Sequence, residues 1–298
     1  MTQQRSGHAV VLGGGGPVGR AWHMGIAAGL LDAGLDLRRA DLIVGTSAGA
    51  VAGARLALGL DPRSWDLSVD AAAGAAPAPG AAAALGELMA GMARAAASAA
   101  PEAERTAIGR MALAADTIGE DASLARVTFD AFRGKAWPPA FRATAVAART
   151  GAFRAFGPGE GVALERGIAA SAALPIAWPA IMIEGEPYID GGVRSMLNAD
   201  LAAGQAGVVV VSCFALDAAD GAPQPARTLN AALLAEIEGL RASGAAVALV
   251  EPSAALLALT ANGTRMLDPT LAAPAYGLGR EAALGRLDAI RAAWSAYA

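Results

Sequence analysis

The sequence is poor in the residue types that mark several classes of protein. Its 298 residues include one cysteine and two histidines, 17% are charged, and the net charge is −4. The single cysteine, Cys213, excludes an internal disulfide framework and a cysteine-rich metal site. The weak negative charge argues against a nucleic-acid-binding protein, which usually presents a basic face. We therefore expect neither a metal ion nor a nucleic-acid partner.

Long apolar runs are also lacking. The uncharged stretch 71–86 consists largely of alanine, glycine and proline, and the stretch 167–183 is broken by Pro175 and Pro179. Neither offers the roughly 20 strongly apolar residues that a bilayer span needs. The apolar segment before the first glycine run is too short for a secretory signal. The sequence thus predicts a cytoplasmic protein, which would contact a membrane only peripherally.

The sequence contains many short apolar segments, and segments with helical periodicity lie between them. Buried strands that alternate with helices predict a mostly parallel sheet covered on both faces, a three-layer α/β/α sandwich in a single domain over 1–298. Active sites in such sheets lie beyond the carboxyl ends of the strands. The predicted strands are 9–12, 41–44, 141–148, 152–156, 181–183, 187–189, 208–214 and 246–250, and the predicted helices are 21–33, 48–58, 162–173, 229–243 and 280–294.

The segment 61–121 differs from the rest of the chain because it contains no convincing strand. It is rich in alanine, proline and glycine and carries Met89, Met92 and Met111. We interpret it as a helical insertion over the site, with 71–84 as a loose connection. Its flexible methionines either shape the access of an apolar substrate or simply fill the core.

The first chemical motif is Gly45-Thr46-Ser47-Ala48-Gly49, a G-x-S-x-G pentapeptide. A predicted strand leads into it and a helix of small residues leaves it, which is the context of a nucleophile elbow. Gly45 and Gly49 lack bulk, so the Ser47 hydroxyl can project from a tight turn and a substrate can approach. The alternative is a helix start in which Ser47 serves as a cap.

A glycine run over 13–16, followed by Pro17 and Gly19, comes directly after the first strand. It can be interpreted as a dinucleotide-binding loop, because Gly14, Gly16 and Gly19 fit G-x-G-x-x-G. A dinucleotide-binding fold requires an acidic residue at the end of the next strand, whereas Asp41 precedes the next predicted strand. The other interpretation is an oxyanion hole, in which the backbone N–H groups of Gly15 and Gly16 would be the donors.

In α/β-hydrolases the catalytic histidine follows the serine and the aspartate in the chain. Here both histidines, His8 and His23, precede Ser47, so a triad in that order is impossible. A carboxylate in direct reach of the hydroxyl would serve instead. Asp190 follows an apolar strand and is followed by Gly191 and Gly192, which allow a sharp turn beside another loop. A plain Asp-Gly turn is the alternative.

Taken together and in this order, the three motifs resemble those of the patatin-like phospholipase family. That family combines a glycine-rich oxyanion loop, a G-x-S-x-G serine and a D-G-G/A aspartate, and it uses a Ser–Asp dyad without a catalytic histidine. The resemblance runs from about Ala9 to Leu201 and includes the stretch 170–175. One departure is Val18, where the family often has arginine or lysine. The implied site consists of Ser47 as nucleophile, Asp190 as base and Gly14, Gly15 and Gly16 as oxyanion turn, with Gly45, Gly49, Gly191 and Gly192 in support.

The resemblance implies a patatin-like fold and an enzyme that cleaves carboxylic esters of lipids through an acyl-enzyme, with no metal or organic cofactor. An acyltransferase, a thioesterase or a short-chain esterase would use the same dyad. Two alternatives lie outside acyl chemistry: a nucleotide-binding protein that uses the glycine loop, and a non-enzymatic scaffold with a degenerate site.

Overall fold

The computed structural model describes residues 6–65, 81–216 and 224–295. In this part of the chain an eight-stranded sheet runs in the order β5-β6-β3-β2-β1-β7-β8, with β4 paired to β3. Strands β3, β2, β1, β7 and β8 are parallel neighbours, and β4, β5 and β6 pair antiparallel. The strands are β1 His8–Leu12, β2 Leu42–Gly45, β3 Phe141–Ala147, β4 Phe153–Phe156, β5 Ile181–Ile183, β6 Glu186–Asp190, β7 Gly207–Val211 and β8 Ala246–Val250.

Helices cover both faces of this sheet, so the predicted α/β fold with a mostly parallel central sheet is confirmed. Alternate residues of β1 divide between the two cores: Val10 and Leu12 pack on one face, and Ala9 and Val11 on the other. None of the described helices is long and apolar enough to cross a bilayer. The helices are α1 Gly16–Asp32, α2 Ala48–Ala57, α3 Ala81–Ala97, α4 Pro101–Ala114, α5 Glu120–Leu124, α6 Val127–Asp130, α7 Leu164–Ser171, α8 Gln224–Ala242, α9 Ala254–Leu259, α10 Ala272–Gly285 and α11 Leu287–Ser295.

Several predicted elements were wrong in extent: α1 and α8 each begin five residues before the predicted start, and two further differences have a physical reason in the backbone hydrogen bonds. The helix predicted over 280–294 is two helices, because α10 ends at Gly285 and the N–H of Arg286 caps its last carbonyls before α11 begins. The strand predicted over 208–214 ends at Val211. There the Ser212 hydroxyl donates to the Phe214 carbonyl and accepts from the Phe214 N–H, which turns the chain out of the sheet.

The described part of the predicted insertion is helical and includes the antiparallel pair α3 and α4. Its helix α3 begins at Ala81, so residues 81–84, which were predicted as loose connection, are helical; residues 71–80 lie outside the described residues. The apolar side chains of this pair pack on the strands that flank Asp190. These side chains form a third apolar cluster, separate from the two cores on the faces of the sheet. Its buried members are Leu88, Met92, Ile108, Ala112, Val146, Ala148, Ile189 and Val193.

Candidate active site

Strand β3 brings the ends of two other strands together. Ala143 pairs with Gly45 at the end of β2, and Ala145 pairs with Asp190 at the end of β6. Two residues of a strand span about 7 Å. The turn that carries Ser47 and the loop that starts at Asp190 therefore emerge beside each other, although 143 positions separate the two residues in sequence.

Ser47 sits in a strained turn between β2 and α2. Its backbone has φ 54° and ψ −114°, a region that side-chain-bearing residues rarely adopt and that is often found at functional sites. The flanking glycines make this turn feasible. A β-carbon on Gly45 would lie 2.5 Å from the Ala50 Cα, and one on Gly49 would collide with the Leu12 carbonyl oxygen. This is the strand–turn–helix geometry that the pentapeptide predicts.

The end of α7 holds the backbone of both residues. The N–H of Ser47 donates to the buried Ser171 hydroxyl at 3.0 Å, and the N–H of Asp190 donates to the Ala173 carbonyl at 3.0 Å. Through these two bonds the stretch 170–175, which the resemblance includes, aligns the turn that carries Ser47 with the loop that starts at Asp190.

The Asp190 carboxylate is almost fully buried, with 3% of the residue exposed. Burial raises the pKa of Asp190 to about 7, against the lowering effects of the Ser47 hydroxyl and the Gly192 N–H. The Gly192 N–H donates to Oδ1 at 2.7 Å, whereas Oδ2 has no partner within hydrogen-bonding geometry. The Ser47 hydroxyl is one of the groups that lower this pKa, but it makes no hydrogen bond to Oδ2 within the usual geometry. Catalytic hydrogen bonds are often loose before a substrate binds.

The glycine loop differs in one respect from the predicted oxyanion turn. The N–H of Gly14 donates to the Met196 carbonyl at 2.9 Å, so this amide is not free to bind an oxyanion. The absence of a side chain at Gly14 leaves room for the Met196 side chain, because a β-carbon there would lie 2.5 Å from Met196 Cε; the same point is 3.5 Å from Ser47 Cβ, which is ordinary contact. In the described part of the chain, the N–H groups of Gly15 and Gly16 have no acceptor, and α1 begins at Gly16.

A further amide donor escaped the sequence analysis. Ala48 is the first residue of α2, and its N–H has no acceptor among the described residues. The amide of the residue after a nucleophile commonly contributes to an oxyanion hole, so its place in the pentapeptide could have indicated it.

Asn198 is the centre of a buried polar network that no motif predicts. Its Nδ2 donates to the Ser195 carbonyl at 2.7 Å and to Thr46 Oγ1 at 3.0 Å, and it lies 3.3 Å from the Gly191 carbonyl. Thr46 Oγ1 is in turn 2.9 Å from Thr144 Oγ1. Asn198 is fully buried and has φ 51°, a left-handed conformation that asparagine tolerates well. The network ties the residue before Ser47 to the residue after Asp190.

The two histidines have other surroundings. His23 Nε2 lies 2.8 Å from the Gly13 carbonyl oxygen and 3.4 Å from Cys213 Sγ. Burial lowers the pKa of His23 to about 4, so its ring is neutral at pH 7. His8 begins β1, at the opposite end of that strand from the glycine loop, and stacks on Trp294.

The acidic residue that a dinucleotide-binding loop would need is also at the wrong end of the sheet. The Asp41 carboxylate accepts from the backbone N–H of His8 at 2.7 Å, at the amino end of β1. Among the described residues, no group of three or more histidines, cysteines, aspartates or glutamates is placed to hold a metal ion.

Comparison with known proteins identifies the family. A search of curated proteins gave no match. The family model described as patatin-like phospholipase matches residues 10–203, which is more than half of the chain and includes all three motifs. The chain therefore belongs to the patatin-like phospholipase family, a family of lipid acyl hydrolases.

Proposed function

We propose that the protein hydrolyses carboxylic esters of lipids with Ser47 as nucleophile and Asp190 as its base. The observation that carries this proposal is a serine in a strained turn beside a buried carboxylate with a raised pKa and one oxygen without a partner. An ordinary aspartate is a poor base for a hydroxyl group. A carboxylate whose pKa is about 7 removes a proton far more effectively at neutral pH.

In the acylation step, Ser47 Oγ attacks the ester carbonyl carbon and its proton passes to Asp190 Oδ2. The carbonyl oxygen becomes an oxyanion, for which the N–H groups of Gly15, Gly16 and Ala48 are the available donors. The tetrahedral intermediate then collapses, the ester C–O bond breaks, and the leaving alcohol takes the proton from Asp190. The product is an acyl-Ser47 ester.

In the second step, water attacks the acyl-enzyme and gives a proton to Asp190, and the carboxylic acid leaves as Ser47 recovers its proton. Acyltransferases and thioesterases would share the first step and differ in the acceptor or donor. A nucleotide-binding role finds less support, because the Gly14 amide is engaged by Met196 and Asp41 lies at the other end of its strand.

A lipid substrate would be reached by peripheral contact with a membrane. Leu267 supports this part of the proposal. It is 42% exposed, and its Cδ2 lies 2.9 Å from the point that a β-carbon on Gly16 would occupy. An exposed leucine thus lies at the rim of the glycine loop, where it could enter a lipid surface.

Labelling with a fluorophosphonate probe, followed by peptide mapping, tests the assignment. We expect one labelled peptide, which contains Ser47, and loss of labelling in Ser47→Ala. The matched control is Ser64→Ala, which changes an exposed serine outside the site and should label like the parent. Labelling that persists at another serine in Ser47→Ala would refute the assignment.

A further inference from the structure

A short segment of the chain, residues 195–199, contacts all three motif loops of the site. One of its carbonyl groups accepts from the Gly14 N–H at 2.9 Å, in the glycine loop. Its Asn198 side chain reaches the other two loops, because Nδ2 donates to Thr46 Oγ1 at 3.0 Å and lies 3.3 Å from the Gly191 carbonyl. The position of this segment therefore determines how the glycine loop, the serine turn and the aspartate loop are placed relative to one another.

Side chains in and beside the segment fix its shape. Ser195 Oγ accepts from the N–H groups of Leu197 and Asn198, at 3.1 and 2.9 Å. Arg194 Nη1 donates to Asn198 Oδ1 at 2.8 Å, which leaves the Nδ2 of that amide facing Thr46. The segment is thus a shaped unit, and its place in the fold depends on the groups that bind it from other elements.

Glu236 on α8 binds the segment from the helix layer. Its Oε2 accepts from the Ala199 N–H at 2.8 Å, and Ala199 is fully buried, so this N–H needs an acceptor within the protein. The Ser195 oxygen already accepts twice, which leaves its hydrogen to donate, and this hydroxyl is one of the groups that lower the pKa of Glu236. Helix α8 lies beyond residues 10–203, which the family model matches, so this contact is not part of the resemblance.

Glu236 also differs from a second glutamate on the same helix. Burial raises the pKa of Glu236 and Asp200 raises it as well, whereas Arg194 and the two groups of the segment lower it. Glu238, two residues later, keeps its charge in solvent, with 64% of its side chain exposed. A carboxylate that is taken out of water is costly unless other groups bond to it, so its contacts with the segment 195–199 are what make this position tolerable.

We propose that Glu236 is a positioning residue for the Ser47–Asp190 dyad, which acts by holding the segment 195–199 in place across the three motif loops. This inference rests on the proposed function, because positioning affects the rate only if these two residues react. Without an acceptor at position 236, the Ala199 N–H would be buried without a partner, and the segment would shift. A displacement of about 1 Å in reacting groups can cost about a hundredfold in rate.

The test compares kcat and KM for nitrophenyl butyrate in variants at position 236. Glu236→Leu keeps a side chain of similar size but has no acceptor, so we expect kcat to fall by about 10- to 100-fold while KM stays within about threefold of the parent. Glu236→Gln keeps an oxygen that can accept from the Ala199 N–H, so its kcat should stay within a few-fold of the parent. The matched control is Glu238→Leu, an exposed position of the same helix, which should keep both parameters.

A double-mutant cycle tests whether Glu236 acts through the segment. In Asn198→Ala the bond to Thr46 is already lost, so the further change Glu236→Leu should lower kcat by less than about threefold more. Losses of kcat that multiply fully in the double variant would contradict the inference, because two independent sites would then be involved.

An unchanged kcat in Glu236→Leu, or equal losses in Glu236→Leu and Glu236→Gln, would also overturn the inference. If Glu236→Leu does not fold, Glu236→Asp decides in its place: it keeps the charge but is one methylene group shorter, and the expected result is again a lower kcat with the parent KM. These failures are distinct from failure of the proposed function, which stands if the parent enzyme hydrolyses the ester and Ser47→Ala does not.

Discussion

Two side-chain pairs lie near the glycine loop and differ in what burial does to their pKa values: the proposed nucleophile Ser47 with its proposed base Asp190, and the Cys213 thiol with the His23 imidazole. Ser47 is half-buried beside Asp190, whereas Cys213 is 2% exposed and lies 3.4 Å from His23 Nε2. Burial raises the pKa of Asp190 to about 7 and lowers the pKa of His23 to about 4. It also raises the pKa of the Cys213 thiol.

Desolvation disfavours the charged form in both pairs, but the chemical outcome is opposite. A buried carboxylate becomes a stronger base, and a buried imidazole becomes a weaker one. Access differs as well, because Gly15 covers Cys213: a β-carbon there would be 2.6 Å from Sγ. A neighbouring cysteine and histidine therefore do not make a reactive pair, and the Ser47–Asp190 pair is the one that we expect to react.

The largest expected effect separates the two bases. Asp190→Asn keeps the shape of the side chain but removes its basicity, so we expect kcat for ester hydrolysis to fall by about 10³-fold or more, as for loss of a general base. His23→Gln should stay within a few-fold of the parent, because a neutral ring that contacts the Gly13 carbonyl takes no proton from Ser47. Equal losses in the two variants would show that the histidine is the base.

The second prediction concerns stability. The pKa of Asp190 is about 7 in the folded protein and near 4 in an unfolded chain, so the folded state binds the proton more tightly. Stability should therefore fall as pH rises from about 4 to about 7, where the carboxylate becomes charged in its buried site. Asp190→Asn removes this penalty.

Chemical denaturation at pH 4 and pH 8 measures this change in the free energy of unfolding. We expect Asp190→Asn to match the parent at pH 4 and to be more stable at pH 8, by up to about 4 kcal/mol. A stability difference that does not change with pH would mean that Asp190 has an ordinary pKa.

A third prediction concerns the network around Asn198. Asn198→Asp preserves the left-handed backbone preference but replaces a donor with a carboxylate near the Gly191 carbonyl. We expect kcat to fall by about tenfold, and the acid limb of the pH–rate profile to move to higher pH, because a second negative charge raises the pKa of Asp190 further.

The control for this substitution is Asn230→Asp, which changes a half-buried asparagine that bonds to the Ala215 carbonyl in another part of the fold. Its acid limb should coincide with that of the parent. If Asn198→Asp lowers kcat without moving the acid limb, the network acts on folding rather than on the environment of Asp190.

The smallest effect is expected at Cys213. Cys213→Ala should leave ester hydrolysis within about twofold of the parent, and a thiol reagent should modify the parent only after denaturation, since the thiol is covered and its pKa is raised. Rapid modification of the folded protein with loss of activity would place Cys213 in an open part of the site.

The sequence predicted those features that depend on local backbone conformation. Gly45, Gly49 and Gly191 stand where neighbouring backbone or side-chain atoms leave no room for a β-carbon, and the apolar segments became strands of the sheet. The boundary errors at Arg286 and Ser212 came from hydrogen bonds of single residues, which periodicity does not report.

The features that the sequence did not predict depend on contacts between distant segments. Met196 reaches Gly14, and Asn198 reaches Thr46, only because the chain after β6 folds back across the ends of β1 and β2. The same contact takes the Gly14 amide out of the predicted oxyanion donors. No spacing in a single sequence carries that information.

The pH dependence of fluorophosphonate labelling tests the central claim most directly, because it follows the reactivity of Ser47 without a substrate chain. We predict that the labelling rate rises through about pH 7 in the parent and in His23→Gln, and that it is slow and independent of pH in Asp190→Asn. Labelling of Asp190→Asn at the parent rate with the parent pH profile, or loss of the rise in His23→Gln, would contradict the assignment of Asp190 as the base.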